Sequence, residues 1–259
     1  MPMCWTGSMR MTRLRSISSD MEIRYYQELP STSRTAAEAA REGAAHLFTV
    51  VAESPTEGRG RLQRSFFSPR GGLYFTTVLR TDLLPKEYGA LTPFAAVAVH
   101  RTIRRVCGVE TEIKWVNDLL WNGKKVCGIL AESGVDLNGR AYVLLGIGIN
   151  LSPVEFPAEL SQIATCVPCE DKEKLLSEIL RELSEAEAAV RQASWLADYR
   201  ADCRMLGSRV TVMRQGTEAH ATAVDILSDG ALLVLWPGGA YEELRGGEIS
   251  LRAAQFPKK

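Results

Sequence analysis

The segment KWVNDLLWNGKK places Lys114 and Asp118 four residues apart. Read as a strand, that spacing puts both side chains on one face, with Asn117 on the other unless a bulge intervenes. A cation beside a carboxylate suits a nucleotide–magnesium site, the lysine on phosphate and the carboxylate near the metal. A cross-strand salt bridge would use the same two residues. Lys125 lies just past the expected turn, close enough through the hairpin to join them. In GRGRLQR, Gly58 and Gly60 let backbone amides approach an anion, while Arg59, Arg61 and Arg64 offer planar, permanently charged forks for phosphate. No G-x-x-x-x-G-K-[ST] run occurs, so this is not a Walker loop, and a solvated charged loop would have the same composition. In GIGIN, Gly146 and Gly148 share a strand face. Their missing side chains leave either a floor for a flat ligand or room for a closely packed helix. In STS, Ser31, Thr32 and Ser33 bring hydroxyls to a helix start, where they either cap it or bond the polar end of a small ligand.

The elements that must position these residues can be read from periodicity. EIRYYQEL, AAHLFTVVAES, GGLYFTTVLR and RAYVLLGIGINL read as strands. STSRTAAEAAREGA reads as a helix with a Thr35/Glu38 capping box. Pro85 to Cys107 reads as one long helix, with Ala95, Val99, Ile103 and Val106 on one face and Gly108 as its left-handed stop. TEIKWVNDLLWNGKKVCGILAES reads as a hairpin turned at Asn122-Gly123, the residue pair a type I′ turn requires. A second long helix is expected from about Asp171, with Leu176, Ile179, Leu180 and Leu183 on its apolar face. From Gly207 the character changes to short alternating strands separated by turn signals, the pattern of a small SH3-like barrel. The expected organisation is a disordered leader at 1–20, a catalytic domain at 21–205 and an all-β domain at 206–259.

Composition narrows the function classes. The chain has 259 residues, with 31 Lys+Arg against 31 Asp+Glu, so no global field favours nucleic acid or an anionic membrane. No apolar run approaches the roughly 18 residues of a membrane span, and the first 20 residues lack the apolar core of a secretory signal. Six scattered cysteines suggest reduced thiols and a cytoplasmic protein. CVPC, Cys166 to Cys169, has zinc-knuckle spacing but no second pair or nearby histidine to complete a site.

Taken in order, the segments resemble the biotin–protein ligase family. STS stands for that family's S-T-N, GRGRLQR for G-R-G-R-x-G-R and FFSPRGGLYFT for W-x-S-P-x-G-x-L-Y. KWVNDL stands for K-W-P-N-D-L, KKVCGILAE for K-x-x-G-I-L-x-E, GIGINL for G-x-G-I-N, and GEISLR lies near the end. The departures are Pro55 where the family has glutamine, Gln63 for a loop glycine, Phe66 for tryptophan and Val116 for proline. The resemblance implies an α/β (α+β) fold: a mixed sheet with flanking helices, like class II aminoacyl-tRNA synthetases, plus the small barrel. It implies formation of biotinyl-5′-AMP from biotin and ATP, then transfer of biotin to a lysine of a biotin carboxyl carrier protein. It assigns Ser31, Thr32, Ser33, Arg59, Gly60, Arg61, Lys125, Gly146 and Gly148 to biotin. Asn117, Asp118, Asn150 and Arg252 fall to the nucleotide, and Asp118 to magnesium. Lys114, Lys125, Arg59 and Arg61 would carry the catalytic charge. A closing loop over the labile mixed anhydride is expected from the glycine spacing. With about 20 residues before the first expected strand, a monofunctional ligase without the N-terminal DNA-binding domain is expected, paired as a homodimer through sheet edges.

Three other readings compete. A lipoate ligase or octanoyltransferase would need an arginine–triple-glycine motif followed by His-Asp, where SPRGGLYFTT has two glycines and no such pair. A nucleic-acid module reading phosphate through RGRLQR sits poorly with a net charge of zero. An inactive relative would not need the intact lysines and aspartate.

Overall fold

The computed structural model describes residues 11–16, 21–58, 60, 66–151, 154, 156–214, 217–245 and 250–253, of which 11–16, 214 and 250–253 are described by backbone alone. Eight strands form one sheet: β1 (Met11–Ser16), β2 (Glu22–Leu29), β3 (Thr49–Pro55), β4 (Leu73–Leu79), β5 (Glu112–Lys114), β6 (Asp118–Trp121), β7 (Lys124–Val135) and β8 (Ala141–Ile149). Their order is β1-β2-β3-β4-β8-β7-β6-β5. Only β2 and β3 run parallel, joined by the crossover helix α1 (Thr32–Arg41). Every other neighbouring pair is antiparallel.

Alternation along the strands gives the sheet two apolar faces. One is covered by α1, whose Ala36 and Ala40 are fully buried against Tyr26, Val50, Val78, Tyr142 and Leu144. The other is covered by α2 (Leu91–Cys107), α4 (Lys172–Leu183), α5 (Ala186–Gln192) and α6 (Leu196–Asp202), while the short α3 (Ala158–Ser161) buries none of its residues. Gly108 caps α2 in the left-handed region at φ 67° and Asp171 caps α4, as expected. Asn122 and Gly123 take φ 51° and 76°, the paired positive values of a type I′ turn.

The structure departs from the sequence reading at six places. Within the segment expected to be a disordered leader, Met11–Ser16 forms β1, which satisfies the outer backbone edge of β2. α1 begins at Thr32 with Ser31 as its cap, accepting from Arg34 N at 3.4 Å, so Thr35 lies inside the helix rather than at its start. Pro85–Ala90 is a separate 3₁₀ turn ahead of α2. KWVND is not one strand: Trp115, Val116 and Asn117 form the turn between β5 and β6. α5 and α6 were not anticipated, because seven residues hold too little periodicity to read.

The sixth departure concerns the C-terminal sheet, which has five antiparallel strands. They are β9 (Arg209–Arg214), β10 (Thr217–Ile226), β11 (Leu232–Leu235), β12 (Tyr241–Leu244) and β13 (Ser250–Ala253), ordered β12-β11-β10-β9-β13. β12 and β13 do not pair among the described residues, so the expected closed barrel is an open sheet there. Its apolar residues, Val210, Val212, Ala223, Leu232 and Val234, continue the core on the α2 side of the large sheet. The indole of Trp115 donates to Gly230 O at 2.9 Å, within that joint core.

Candidate functional site

Residues paired directly across antiparallel strands point to the same face. Lys114 pairs with Asp118, Asp118 with Gly128, Gly128 with Gly148 and Gly148 with Tyr74. That single row crosses five strands on the face covered by α1. Lys114 and Asp118 therefore share a face as cross-strand neighbours on β5 and β6, not as alternate residues of one strand. The next row, Leu130–Gly146–Thr76, lies under the N-terminal end of α1.

Lys125 reaches this face through a bulge. Register shifts between Leu119, paired with Cys127, and Leu120, paired with Lys125. Val126 and Cys127 consequently both point into the α2-side core, each fully buried. Without the extra residue, Lys125 would alternate onto that core face. Instead its Nζ donates to Asp118 Oδ1 at 2.6 Å and lies 5.5 Å from the Phe66 ring centre.

Between the charged pair and α1 the face is flat. A Cβ built on Gly128 would meet Phe66 Cε2 at 2.9 Å and Lys125 Nζ at 3.1 Å. One built on Gly148 would meet Phe66 Cε1 at 2.7 Å. The two glycines form a trench occupied by the Phe66 ring, bordered by the edge of Tyr74 at 6.3 Å. Tyr74 is itself fixed by donating its hydroxyl to Pro69 O at 2.9 Å, and burial raises its pKa far above the ordinary phenol value. A Cβ on Gly146 would lie 3.1 Å from Ser33 Oγ and 3.5 Å from Thr76 Oγ1. Thr76 donates to Thr32 Oγ1 at 2.9 Å and lies 3.2 Å from Ser33 Oγ. Hydroxyls, a glycine trench and a lysine–carboxylate pair thus follow one another on one surface.

Asn150 closes the far side. It is 4% exposed, its N–H donates to Val126 O at 2.8 Å, and its amide nitrogen reaches Thr165 O at 3.3 Å and Lys125 O at 3.5 Å. Its Oδ1 is buried with no partner among the described residues. A buried acceptor left unbonded is uncommon and marks a place for a donor. Asn117 is committed to structure: its amide donates to Ile129 O at 2.9 Å, and its carbonyl accepts from Ile129 N at 2.9 Å.

Of the residues expected at a site, Ser31, Thr32, Ser33, Gly146, Gly148, Asp118, Lys125 and Asn150 are brought together, with Lys114 at the end of the row. Ser31 serves α1 as its cap. Asn117 turns toward the β7 backbone. Gly60 is described, but Arg59 and Arg61 lie outside the described residues, as does Gln63. Arg252 sits on β13 opposite Thr211, its side chain outside the description. Pro55 ends β3, buried beside Leu29. The sequence reading missed Gly128 and Thr76, and treated Phe66 only as a replacement. Gly128 had a readable signal: it lies in a strand antiparallel to GIGIN, where a second glycine widens the same floor.

A profile described as the Biotin/lipoate A/B protein ligase family matches residues 25–150, and one described as the biotin protein ligase C-terminal domain matches residues 205–252. The chain is 32% identical over 234 residues to the biotin–[acetyl-CoA-carboxylase] ligase of Paracoccus denitrificans, covering 82% of this chain and 94% of the relative. It is 31% identical over 212 residues to the enzyme of that name from Mycobacterium tuberculosis, covering 77% of each. It is 42% identical over 154 residues to the bifunctional ligase/repressor BirA of Bacillus subtilis, but that alignment spans only 47% of the longer relative. The structure resembles the biotin protein ligase from Aquifex aeolicus in complex with biotin and ATP, with a TM-score of 0.74 and 26% identity over 90% of this chain and 99% of that one.

Proposed function

We propose that this chain, which belongs to the biotin/lipoate A/B protein ligase family, is an ATP-dependent biotin–protein ligase. Biotin has a polar fused ring, an aliphatic chain and a terminal carboxylate. The observation that carries the reading is the matching order on one sheet face. The hydroxyls of Ser33, Thr32 and Thr76 stand at Gly146, the trench of Gly148 and Gly128 follows, and Lys125 stands over its far end. Strands lie about 4.8 Å apart, so the span from Gly148 on β8 to Asp118 on β6 is roughly 10 Å.

In this reading the ring sits against the α1 hydroxyls and the chain lies in the trench, with Phe66 moving aside or over it. The carboxylate reaches Lys125. Attack of that carboxylate on the α-phosphate of ATP brings two anions together, and pyrophosphate leaves. Catalysis is then mainly positioning and charge compensation, by Lys125 and Lys114 on the described surface. The orphan Oδ1 of Asn150 is an acceptor suited to an N–H of the base. Among the described residues no three metal-binding side chains cluster. Magnesium would arrive with the nucleotide phosphates and use Asp118 as a single carboxylate ligand, as is common for that ion. In the second step an acceptor lysine of a carrier protein takes the biotinyl group and AMP leaves.

β6 pairs with β7 only as far as Gly128, so the Leu130–Val135 edge has no strand beside it among the described residues. That edge is our proposed meeting place for the carrier or a second copy of the chain. Sedimentation showing monomer alone with adenylate bound would reject the homodimer. No helix among the described residues is long and apolar enough to cross a membrane. The deciding experiment is ATP–pyrophosphate exchange with biotin, lipoate and octanoate supplied separately. Exchange with biotin is expected; exchange with lipoate or octanoate alone overturns the proposal in favour of another acid within the family.

A further inference from the structure

Helix α1 presents Ser31–Ser33 to the site, yet its firmest polar attachments are at its other end. Its buried body is alanine, Ala36 and Ala40, with Ala37 and Ala39 beside them. Small side chains allow close approach but make shallow ridges, which resist sliding along the helix axis weakly. At the site end Thr76 donates to Thr32 Oγ1 and lies within hydrogen-bond reach of Ser33 Oγ, groups that a ligand would share, and the Arg34–Glu57 pair there is exposed and screened by solvent.

At the far end Arg80, one residue past β4, donates Nη2 to Ala40 O at 2.6 Å and Nε to Ala44 O at 3.1 Å. Its Nη1 donates to Asp136 Oδ2 at 2.9 Å. The Asp136 side chain is wholly buried at the tip of the β7–β8 hairpin. It also accepts from Asn138 N at 2.8 Å, and from Arg140 N and Arg140 Nε at 2.9 Å each. Leu137 N donates to Arg41 O at 3.1 Å, and the Arg80 guanidinium lies 5.5 Å from the Tyr142 ring centre. The last carbonyls of α1, the end of β4 and the β7–β8 tip form one network.

We propose that Arg80 and Asp136 are positioning residues: their network sets the axial register of α1 and thereby places Ser31, Thr32 and Ser33 against the polar ring of the ligand. The proposal rests on the biotin reading of the site. A ten-residue helix is about 15 Å long and moves as a rod, so a shift at Ala40 reaches Ser33 undiminished. Gly128, Gly148, Asp118 and Lys125 belong to the sheet and do not move with it. Ring recognition therefore depends on the network, while the chemistry at the carboxylate end does not.

The test is biotin-dependent ATP–pyrophosphate exchange by wild type, Asp136→Asn and Arg80→Met. Asp136→Asn keeps the shape and removes the charge; Arg80→Met keeps the stem and removes the donors. His100→Gln is the control. His100 is 2% exposed on the opposite side of the sheet and bonds Thr111 and Asp202, so its loss loosens the fold away from α1. In Asp136→Asn the KM for biotin should rise roughly tenfold, with kcat and the KM for ATP within about twofold of wild type. Arg80→Met should go further in the same direction. An unmoved KM in Asp136→Asn, a fall in kcat in its place, or an equal KM rise in His100→Gln overturns the proposal, whether or not Arg80→Met folds. Wild type without biotin-dependent exchange overturns the underlying reading instead.

Discussion

Lys125 and Asp118 are 2.6 Å apart, but their side chains remain 33% and 20% exposed. A half-solvated pair of this kind contributes about 1 kcal/mol or less to stability. Removing the lysine should therefore spare the fold and strike the chemistry. Lys125→Ala is expected to melt within a few degrees of wild type and to form adenylate roughly 100-fold more slowly. Single-turnover pyrophosphate release measures this, and near-wild-type formation would remove Lys125 from the site. The glycine trench makes a complementary prediction. The nearest atoms to a side chain at Gly148 belong to the Phe66 ring rather than to backbone, and a ring can swing away, so Gly148→Val should fold. It would fill the floor on which the ligand chain lies, and the KM for biotin should rise by at least about tenfold. An unchanged KM would mean the ligand lies elsewhere.

Single elements decide which of these residues meet. The bulge in β7 turns one lysine of a Lys124–Lys125 pair toward Asp118 and sends the other to Ser161 O at 2.7 Å. Sequence periodicity has no signature for such an inserted residue, so Lys125 could be assigned only by proximity. The loop after α1 adds a pH-sensitive contact at the same level. His46 Nδ1 accepts from Arg80 N at 3.1 Å, which requires that nitrogen to be unprotonated. Burial lowers the His46 pKa, while nearby Glu187 opposes the shift. A histidine with a lowered folded pKa favours the neutral native state, so the unfolded chain binds more protons between the two values. Its stabilisation is complete above about pH 6.5 and is lost as pH falls toward the lower folded value. The urea midpoint of wild type should fall between pH 7 and pH 5 by more than that of His46→Gln. Parallel declines would show that other groups govern acid stability.

At the scale of the whole molecule, the C-terminal sheet and the α2 face of the large sheet share one core rather than meeting as separate bodies. Arg200 forks onto Asp225 with two bonds of 2.7 Å, tying α6 to β10. A tight approach lies at Gly230, which has φ +86° and would place a Cβ 2.9 Å from both Gly89 O and Pro93 Cγ. Backbone cannot yield there as a side chain can. Gly230→Ala should cost about 2 kcal/mol, seen as a melting temperature several degrees lower with no loss of cooperativity. Two separate transitions in calorimetry would show that the sheets fold independently.

The sequence by itself determined most of the strands, the bodies of the two long helices, the Asn122-Gly123 turn and the family, because periodicity, caps and ordered motifs are local properties of the chain. It also marked Asp118, Lys125, Gly146, Gly148 and the Ser31–Ser33 hydroxyls as candidates. Only the tertiary structure decided their arrangement. Lys114 and Asp118 meet across two strands joined by a three-residue turn, and Lys125 joins them through a bulge. Gly128 becomes floor because β7 lies beside β8, and α1 is anchored through an arginine and an aspartate 56 residues apart in sequence. Register and cross-strand pairing are set by the burial of both sheet faces at once, a balance over the whole core that no local window of residues contains.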